Sequence, residues 1–339
     1  MPISKQGTKV SRRTVLLGAA ASPFAFSILG SKAARADTVT MRVGSDSPID
    51  DAHTGAAVKM KELIEAKTDG RIRVVIFPSG QVGSNEVMMN AIKAGALDSM
   101  LTDAGILSQA VAGASIFNLP FLFNDIPHAM RAANGKIGEK LRPQIESAYE
   151  CEVHGWGNDG LRNMWNKKRP IKSPDDLHGM KMRVQANPIH QETYTALGAL
   201  PTPISFTELY NALQTGVVDG ADNSIVDIIA IKFYQVSKYI SMTKHVSTMC
   251  TQVASKHFMA SLSPADRDIV REASALGAQN EVQLTMDAEE KGLDIIKAKG
   301  MVAITDLDME PFKQKMGPVY ELAATTLGQA LIDEAKTIS

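Results

Sequence analysis

The chain has 339 residues, of which 44% are hydrophobic and 22% charged, and its formal net charge is −1 at pH 7. This is the balance of an ordinary globular protein with room for about two domains. Nucleic-acid binding has no support, because it needs basic residues to neutralise phosphates and aromatic residues to stack on bases. The chain has no basic excess, and its aromatic content is 5%.

The first 36 residues are typical of a cleavable export signal. Two arginines at 12–13 precede a mildly apolar run at 14–29, and the sequence A-R-A at 34–36 fits a small-x-small cleavage site. Paired arginines before a weakly hydrophobic segment indicate the twin-arginine route. The alternative is a transmembrane anchor, for which the apolar run is too short. We therefore expect a periplasmic protein that starts near Asp37.

From there, strand patterns alternate with helical patterns. Strands are expected near 39–43, 72–77 and 100–102, each followed by a turn or a helix. Repeated βαβ units predict a mainly parallel sheet, in which ligands bind beyond the carboxyl ends of the strands. Polar residues at such ends are candidate ligand contacts, although helix caps and turns use the same residue types. Three residues have this position: Asp46, Asn85 and Asp103.

Two longer helices are predicted further along the chain. One runs from about 127 to 149, and the other starts at Ser263-Pro264 and continues to Gly300. A helix of about 35 residues extends roughly 50 Å, enough to contact two domains. The alternative is a break near Gly277, because an interior glycine costs about 1 kcal/mol relative to alanine.

Residues 155–160 form a G-x-G-x-x-G sequence with acidic residues at 175–176, which is the pattern of a dinucleotide site. The helix that such a site requires does not follow, so we interpret the glycines as a crossing between domains. The chain also has no G-x-S-x-G or H-E-x-x-H motif, and its seven histidines are scattered. We therefore expect no enzyme activity, no cofactor and no metal.

Segment 181–223 has the strongest polar signal. Arg183 lies in a short apolar strand, where a guanidinium without a partner is too costly to bury. A short helix follows, and the next strand ends at Asn223. A guanidinium and an amide at neighbouring strand ends suit a carboxylate ligand. Ordinary salt bridges between domains are an open alternative for Arg183 and for Arg162.

Five segments carry a family resemblance: P-S-G-Q-V-G at 78–83, G-A-L-D at 95–98, L-P-F-L-F at 119–123, D-L-H-G-M-K-M-R-V-Q at 176–185 and E-L-Y-N-A-L-Q-T-G-V-V-D-G at 208–220. In this order and spacing, they resemble the substrate-binding proteins of tripartite ATP-independent periplasmic (TRAP) transporters, the C4-dicarboxylate-binding-protein family. The resemblance implies an α/β fold of two lobes, with mixed, mainly parallel sheets and strands crossing between the lobes. It also implies that the lobes close around one small organic acid.

The resemblance assigns roles to individual residues. Arg183 matches an arginine that forms a bidentate salt bridge with the ligand carboxylate, and Arg162 matches a second ligand-facing arginine. Asn223 matches an amide that hydrogen-bonds the ligand, and Phe206 matches an aromatic ring that packs against it. Asp222 stands where the family usually has glutamate, which makes it a further candidate. Three cleft positions vary with the ligand: Asp46, Asn85 and Asp103.

The resemblance also implies domain boundaries. Beyond the signal at 1–36, lobe I comprises 37–161 plus 249–288 and lobe II comprises 162–248 plus 289–339, with the long helix spanning both. Cys151 and Cys250 then lie on neighbouring crossing strands, which permits one disulfide in an oxidising compartment. Two buried free thiols are the alternative.

The candidate cleft residues favour a sugar acid or another hydroxylated monocarboxylate as the ligand. A C4-dicarboxylate is the alternative, but like charges in the cleft would repel its second carboxylate. The expected partners are this acid and the TRAP membrane subunits, with no nucleic acid, and the expected state is a monomer. The sequence leaves open a third role, presentation of the ligand to a sensor.

Overall fold

The computed structural model of the protein describes residues 38–338. The predicted export signal and its cleavage site lie outside these residues. Within 38–338, no helix combines the length and the apolar composition that a membrane crossing requires.

Nine strands in the described chain form one mixed sheet. They are β1 (Val39–Gly44), β2 (Ile72–Phe77), β3 (Ser99–Asp103), β4 (Cys151–Asn166), β5 (Lys181–Val184), β6 (Leu200–Pro203), β7 (Gly220–Asn223), β8 (Tyr239–Ser255) and β9 (Val302–Ile304). Their order is β2-β1-β3-β8-β4-β7-β5-β6, with β9 paired to β8 beside this path. Five pairs are parallel and three are antiparallel. The predicted mixed, mainly parallel α/β architecture is therefore confirmed.

The two long strands β4 and β8 join the halves of the sheet. Their antiparallel ladder runs from Cys151 opposite Ser255 to Asn166 opposite Tyr239. The strands β1, β2 and β3 lie on one side of this pair, and β5, β6 and β7 lie on the other. This topology agrees with strands that cross between two lobes. The lobe boundaries themselves stay predictions.

The helices of the described chain are α1 (Ala52–Lys67), α2 (Asn85–Lys93), α3 (Ala104–Leu107), α4 (Ile126–Asn134), α5 (Lys136–Ala148), α6 (Pro188–Ala196), α7 (Phe206–Thr215), α8 (Ile225–Ala230), α9 (Lys256–Ser261), α10 (Pro264–Ala298), α11 (Glu310–Gln314), α12 (Gly317–Ala323) and α13 (Gln329–Lys336). Asp51, Ser84 and Ser263 start α1, α2 and α10, because their side-chain oxygens accept hydrogen bonds from backbone N–H groups of the first turn. The start of the long helix that was predicted at Ser263-Pro264 is confirmed.

The long helix α10 is continuous over 35 residues, so the alternative of a break near Gly277 is wrong. Gly277 has a packing role instead. A Cβ atom there would lie 2.6 Å from the carbonyl oxygen of Ala56 in α1. The missing side chain therefore lets the two helices approach closely.

Two other predicted elements differ from the structure. The single helix expected at 127–149 is divided into α4 and α5 at Gly135, whose backbone is extended. The glycines at 155–160 lie inside β4, which does cross between the halves of the sheet, but as a regular strand rather than as a flexible segment. Packing explains Gly155, because a Cβ atom there would lie 3.2 Å from the Cα atom of Ala275 in α10.

The apolar core is divided into separate clusters that pack helices against strands. One cluster packs Met60 and Ile64 of α1 against β1 and β2, and another surrounds Trp165 of β4 with α7 and α8. The largest joins α2 to α6 with the C-terminal helices α11 to α13. Helix-on-sheet packing of this kind is what the βαβ pattern predicts.

The suggested disulfide does not form. Cys151 and Cys250 are both free and buried. They are on neighbouring strands, as expected, but Cys151 lies opposite Ser255 whereas Cys250 lies opposite Gly157. Six residues of extended chain separate two points by about 20 Å, and a disulfide requires Cα atoms within about 7 Å. The register of the ladder therefore excludes the bond.

Candidate functional site

The strand directions bring two sets of carboxyl ends together. β3 runs alongside β8 toward Cys250, and β7 runs alongside β4 from Asn166 toward Asn163. The parallel strands on the two sides of the sheet therefore end facing each other across the middle of β4 and β8. Ligands of open α/β sheets bind at such points, and a polar cavity lies there.

A bulge in β4 shapes the floor of this cavity. The register with β8 shifts between Asn158 and Leu161, and Gly160 has a φ of 97°. Only glycine adopts this backbone conformation without strain. Asp159, at the bulge, lines the cavity. The last glycine of the G-x-G-x-x-G sequence thus serves a bulge, a common feature beside functional sites.

Seven of the eight candidate residues line the cavity, although they come from segments as far apart in the sequence as residues 46 and 223. They are Asp46, Asn85, Asp103, Arg162, Arg183, Phe206 and Asn223. Asp222 is the exception, because its side chain is fully buried behind the cavity against Arg162.

Arg183 is a buried cation without a carboxylate partner among residues 38–338. The residue is 3% exposed, its Nε donates to the carbonyl of Ile204 at 2.7 Å, and its guanidinium carbon lies 5.9 Å from the centroid of the Phe206 ring. Burial, followed by the charge of Arg162, lowers the pKa of Arg183 to about 10. Within the described chain, the salt-bridge alternative therefore does not hold for Arg183.

Arg162 does form a salt bridge, but with a residue of the same predicted lobe (162–248) rather than between domains. Its Nε donates to Oδ2 of Asp222 at 2.9 Å, and its Nη2 contacts the backbone carbonyl of the same residue. Asp222 also accepts hydrogen bonds from Nε2 of His190 at 2.9 Å and from Nε2 of His245 at 3.0 Å. Burial alone would raise the pKa of Asp222, but Arg162 and His190 outweigh it and hold that pKa well below its usual range. Asp222 is therefore an anchor for Arg162.

On the opposite wall of the cavity, the lining side chains of Asp46, Asn85 and Asp103 also form hydrogen bonds within the protein. Asn85 donates from Nδ2 to Oδ2 of Asp46 at 2.5 Å, and Asp103 caps α3 by accepting from the backbone N–H of Gly105. Burial raises the pKa of Asp46, against the charge of His53. The capping explanation and the cavity-lining explanation are thus both correct for Asp103.

Several lining residues were missed by the sequence analysis. Gln185 lies two residues after Arg183 and therefore on the same face of the chain, which could have indicated it. Asp227 could have been found as a charged residue in an apolar stretch, whereas Asp159 stands among glycine and polar residues and gave no such signal. Burial raises the pKa of Asp227 to about 6 and raises that of Asp159 well above its usual value. His53, Thr248 and Cys250 gave no local signal.

Five lining side chains have a buried oxygen without a hydrogen-bond partner in the described chain. Buried polar atoms are normally paired, so a ligand in the cavity would supply the missing partners. They are Asn85 Oδ1, Asp159 Oδ1, Gln185 Oε1, Asn223 Oδ1 and Thr248 Oγ1. Most of them are acceptors, and acceptors need a ligand that carries several O–H or N–H donors.

Comparison with known proteins identifies the family of this chain. The family model for bacterial extracellular solute-binding proteins, family 7 (DctP), matches residues 43–326. A solute-binding protein of Verminephrobacter eiseniae is 31% identical over 306 residues, which cover 90% of this chain and 91% of that protein.

Two solved structures have the same fold over nearly their whole length. A TRAP periplasmic solute-binding protein from Polaromonas sp. JS666, bound to D-erythronate, has a TM-score of 0.86 and 31% identity, covering 89% of this chain and 99% of that one. Another, from Roseobacter denitrificans with bound β-D-glucuronate, has a TM-score of 0.83 and 28% identity, covering 88% and 100%. The chain therefore belongs to family 7 of the bacterial extracellular solute-binding proteins, the periplasmic binding proteins of TRAP transporters.

Proposed function

We propose that this protein binds a hydroxylated monocarboxylate, most simply a sugar acid, through an arginine–carboxylate clamp. Arg183 carries the proposal, because it is buried, borders the cavity and forms no ion pair within the described chain. Leaving such a cation unpaired is costly, so an anionic ligand is its natural partner. A planar guanidinium can bind a carboxylate through two parallel hydrogen bonds.

The atoms around Arg183 suit this geometry. Nε is held by Ile204, so both terminal nitrogens are left for the carboxylate. The ring of Phe206 limits the directions in which the guanidinium can turn. Asn223 donates to Asp227 at 2.8 Å, which leaves its unpartnered Oδ1 as an acceptor for a ligand hydroxyl group. Arg162 adds positive potential but has already committed two of its nitrogens to Asp222.

The rest of the cavity favours hydroxyl groups over a second carboxylate. Unpartnered oxygens of Asn85, Gln185 and Asn223 can accept from hydroxyl groups. Asp46 and Asp103 would repel another negative charge. D-erythronate and glucuronate, bound by the two similar proteins, are both hydroxylated monocarboxylates. A C4-dicarboxylate would meet this repulsion, so it is the alternative that a binding experiment must distinguish.

The remaining parts of the proposal concern the whole protein. Residues 1–36 direct export through the twin-arginine route, and the mature chain acts in the periplasm as a monomer without enzymatic turnover. Lobe I (37–161 plus 249–288) and lobe II (162–248 plus 289–339) close around the acid. The closed form then delivers the acid to the TRAP membrane subunits.

A thermal-shift screen tests the ligand class. Erythronate, galactonate and glucuronate are compared with succinate and malate at equal concentrations. Because a ligand stabilises the state that it binds, about 2.7 kcal/mol is expected at a concentration one hundred times the Kd. We expect a sugar acid to raise the unfolding temperature more than either dicarboxylate. Stabilisation by succinate and by no sugar acid would overturn this assignment.

A further inference from the structure

Three side chains from distant parts of the chain bring metal-ligand atoms together at the cavity wall. His53 lies in the first turn of α1, Cys250 in β8 and Glu281 in the middle of α10. One nitrogen, one sulfur and one carboxylate oxygen from these residues all lie within 4.8 Å of one another. The residues are 6%, 1% and 0% exposed. Their positions in the sequence give no metal-ligand spacing, so only the fold brings them together.

The distances within this triad are close to those of a metal site. Nδ1 of His53 lies 2.8 Å from Oε1 of Glu281 and 3.9 Å from Sγ of Cys250. With metal–ligand bonds of about 2.0–2.3 Å, the donors of a tetrahedral zinc ion are roughly 3.3–3.8 Å apart. Small side-chain movements and loss of the proton between His53 and Glu281 would therefore produce the required geometry.

Buried carboxyl oxygens without a hydrogen-bond partner are a second and independent observation beside the triad. Oε2 of Glu281, Oδ2 of Asp51 and Oδ1 of Asp159 are buried without a hydrogen-bond partner in the described chain. The nearest cationic partner of Glu281 is His53. A divalent cation bound at the triad would give the unpaired oxygen of Glu281 a partner.

We propose that His53, Cys250 and Glu281 form a binding site for a divalent transition metal. Zn²⁺ is the best match, because it accepts imidazole, thiolate and carboxylate ligands together. His53 and Cys250 line the cavity, so the fourth coordination position opens toward it. Binding releases the thiol proton of Cys250 and the Nδ1 proton of His53 to solvent. The proposed carboxylate clamp at Arg183 is not needed for this site.

A cobalt titration tests the site in the wild-type protein. Co²⁺ alone is added to chelator-treated protein without any organic acid. We expect a thiolate-to-cobalt charge-transfer absorption in the near ultraviolet, which an equivalent of Zn²⁺ then removes. A cobalt spectrum without that absorption overturns the proposal, and this result is independent of whether a sugar acid binds.

The second cysteine of the chain provides a matched control. Cys151 is also buried and free, but it lies near the amino end of β4, away from the triad. Calorimetry should show Zn²⁺ binding at least about tenfold weaker in Cys250→Ser, with Cys151→Ser unchanged. Equal Zn²⁺ affinities in the two variants would contradict the site. Unfolding temperatures without metal establish that each variant folds, and if Cys250→Ser does not, the wild-type cobalt spectrum decides.

Discussion

Two buried arginines, Arg162 and Arg183, border the same cavity but differ in what neutralises them. Arg162 shares a buried carboxylate with His190 and His245, whereas Arg183 has a backbone carbonyl and an aromatic ring. The first arrangement is complete without a ligand. The second lacks a counter-ion within the described chain, and this difference supports the proposed ligand role of Arg183.

Replacing Arg183 by lysine should weaken binding of the cognate acid by roughly 2–5 kcal/mol, because the charge is kept but the paired donors are lost. Isothermal titration calorimetry with the acid found in the thermal-shift screen measures the change. Arg73→Lys, on an exposed part of β2, is the matched control. Wild-type affinity in Arg183→Lys would rule out the clamp.

Asp227 should make stability depend on pH. Its folded-state pKa of about 6 is raised by burial above the unfolded value of about 3.9. Between these two pKa values, the native state keeps a proton that the unfolded state has lost. The stability that this proton contributes therefore decreases as the pH rises from about 4 to 6. Asp227→Asn removes this titration. We expect the effect of Asp227→Asn on the free energy of unfolding to be more stabilising at pH 8 than at pH 4.5, by on the order of 2 kcal/mol.

Urea unfolding of the ligand-free protein at both pH values measures this difference. Asp306→Asn removes one negative charge from an exposed position and serves as the control. If Asp227→Asn changes the free energy of unfolding equally at pH 4.5 and pH 8, then Asp227 is not a buried, proton-binding carboxylate.

At the scale of elements, α10 and β4 use glycine for contact rather than for flexibility. Gly277 lets α10 approach α1, and Gly155 lets β4 approach α10. Judged by helix propensity alone, a glycine inside a helix predicts a break. The cost of about 1 kcal/mol is smaller than the stabilisation from a long buried contact, so the helix stays whole.

Gly277→Ala should destabilise the protein by about 1–3 kcal/mol, although alanine favours helices, because its Cβ would lie 2.6 Å from the carbonyl oxygen of Ala56. Gly317→Ala is the control, since no atom lies within 4 Å of a Cβ placed there. This control should be neutral or slightly stabilising. Thermal unfolding compares the two variants, and a Gly277→Ala protein as stable as Gly317→Ala would contradict the close-packing explanation.

At the scale of the molecule, β4 and β8 are shared by both halves of the sheet, and the cavity lies between the halves. A ligand held by Arg183 on one side and by Asp46 and Asn85 on the other would draw the halves together. If the lobes close as proposed, the same strands would act as their hinge.

Small-angle X-ray scattering tests this closure. The cognate acid should reduce the radius of gyration of the wild-type protein, because a closed form is more compact than an open one. Arg183→Lys at the same acid concentration should keep the larger radius. Superimposable wild-type curves with and without saturating acid would show that binding does not move the lobes.

The sequence by itself determined most of the elements and five of the fourteen residues that line the cavity. Alternating apolar patterns, cap residues and the carboxyl ends of strands identified Asp46, Asn85, Asp103, Arg183 and Asn223, because these signals depend on neighbours within a few residues. The family resemblance added Phe206, and it assigned Arg162 and Asp222 ligand roles that the observed salt bridge between them modifies.

Only the tertiary structure decided the rest, because it depends on register and on contacts between distant segments. The β4–β8 register keeps Cys151 and Cys250 apart, and packing against α1 keeps α10 whole at Gly277. The same packing brings His53 and Glu281 together beside Cys250. No local sequence pattern encodes such contacts between distant residues, because each contact depends on how the whole chain folds.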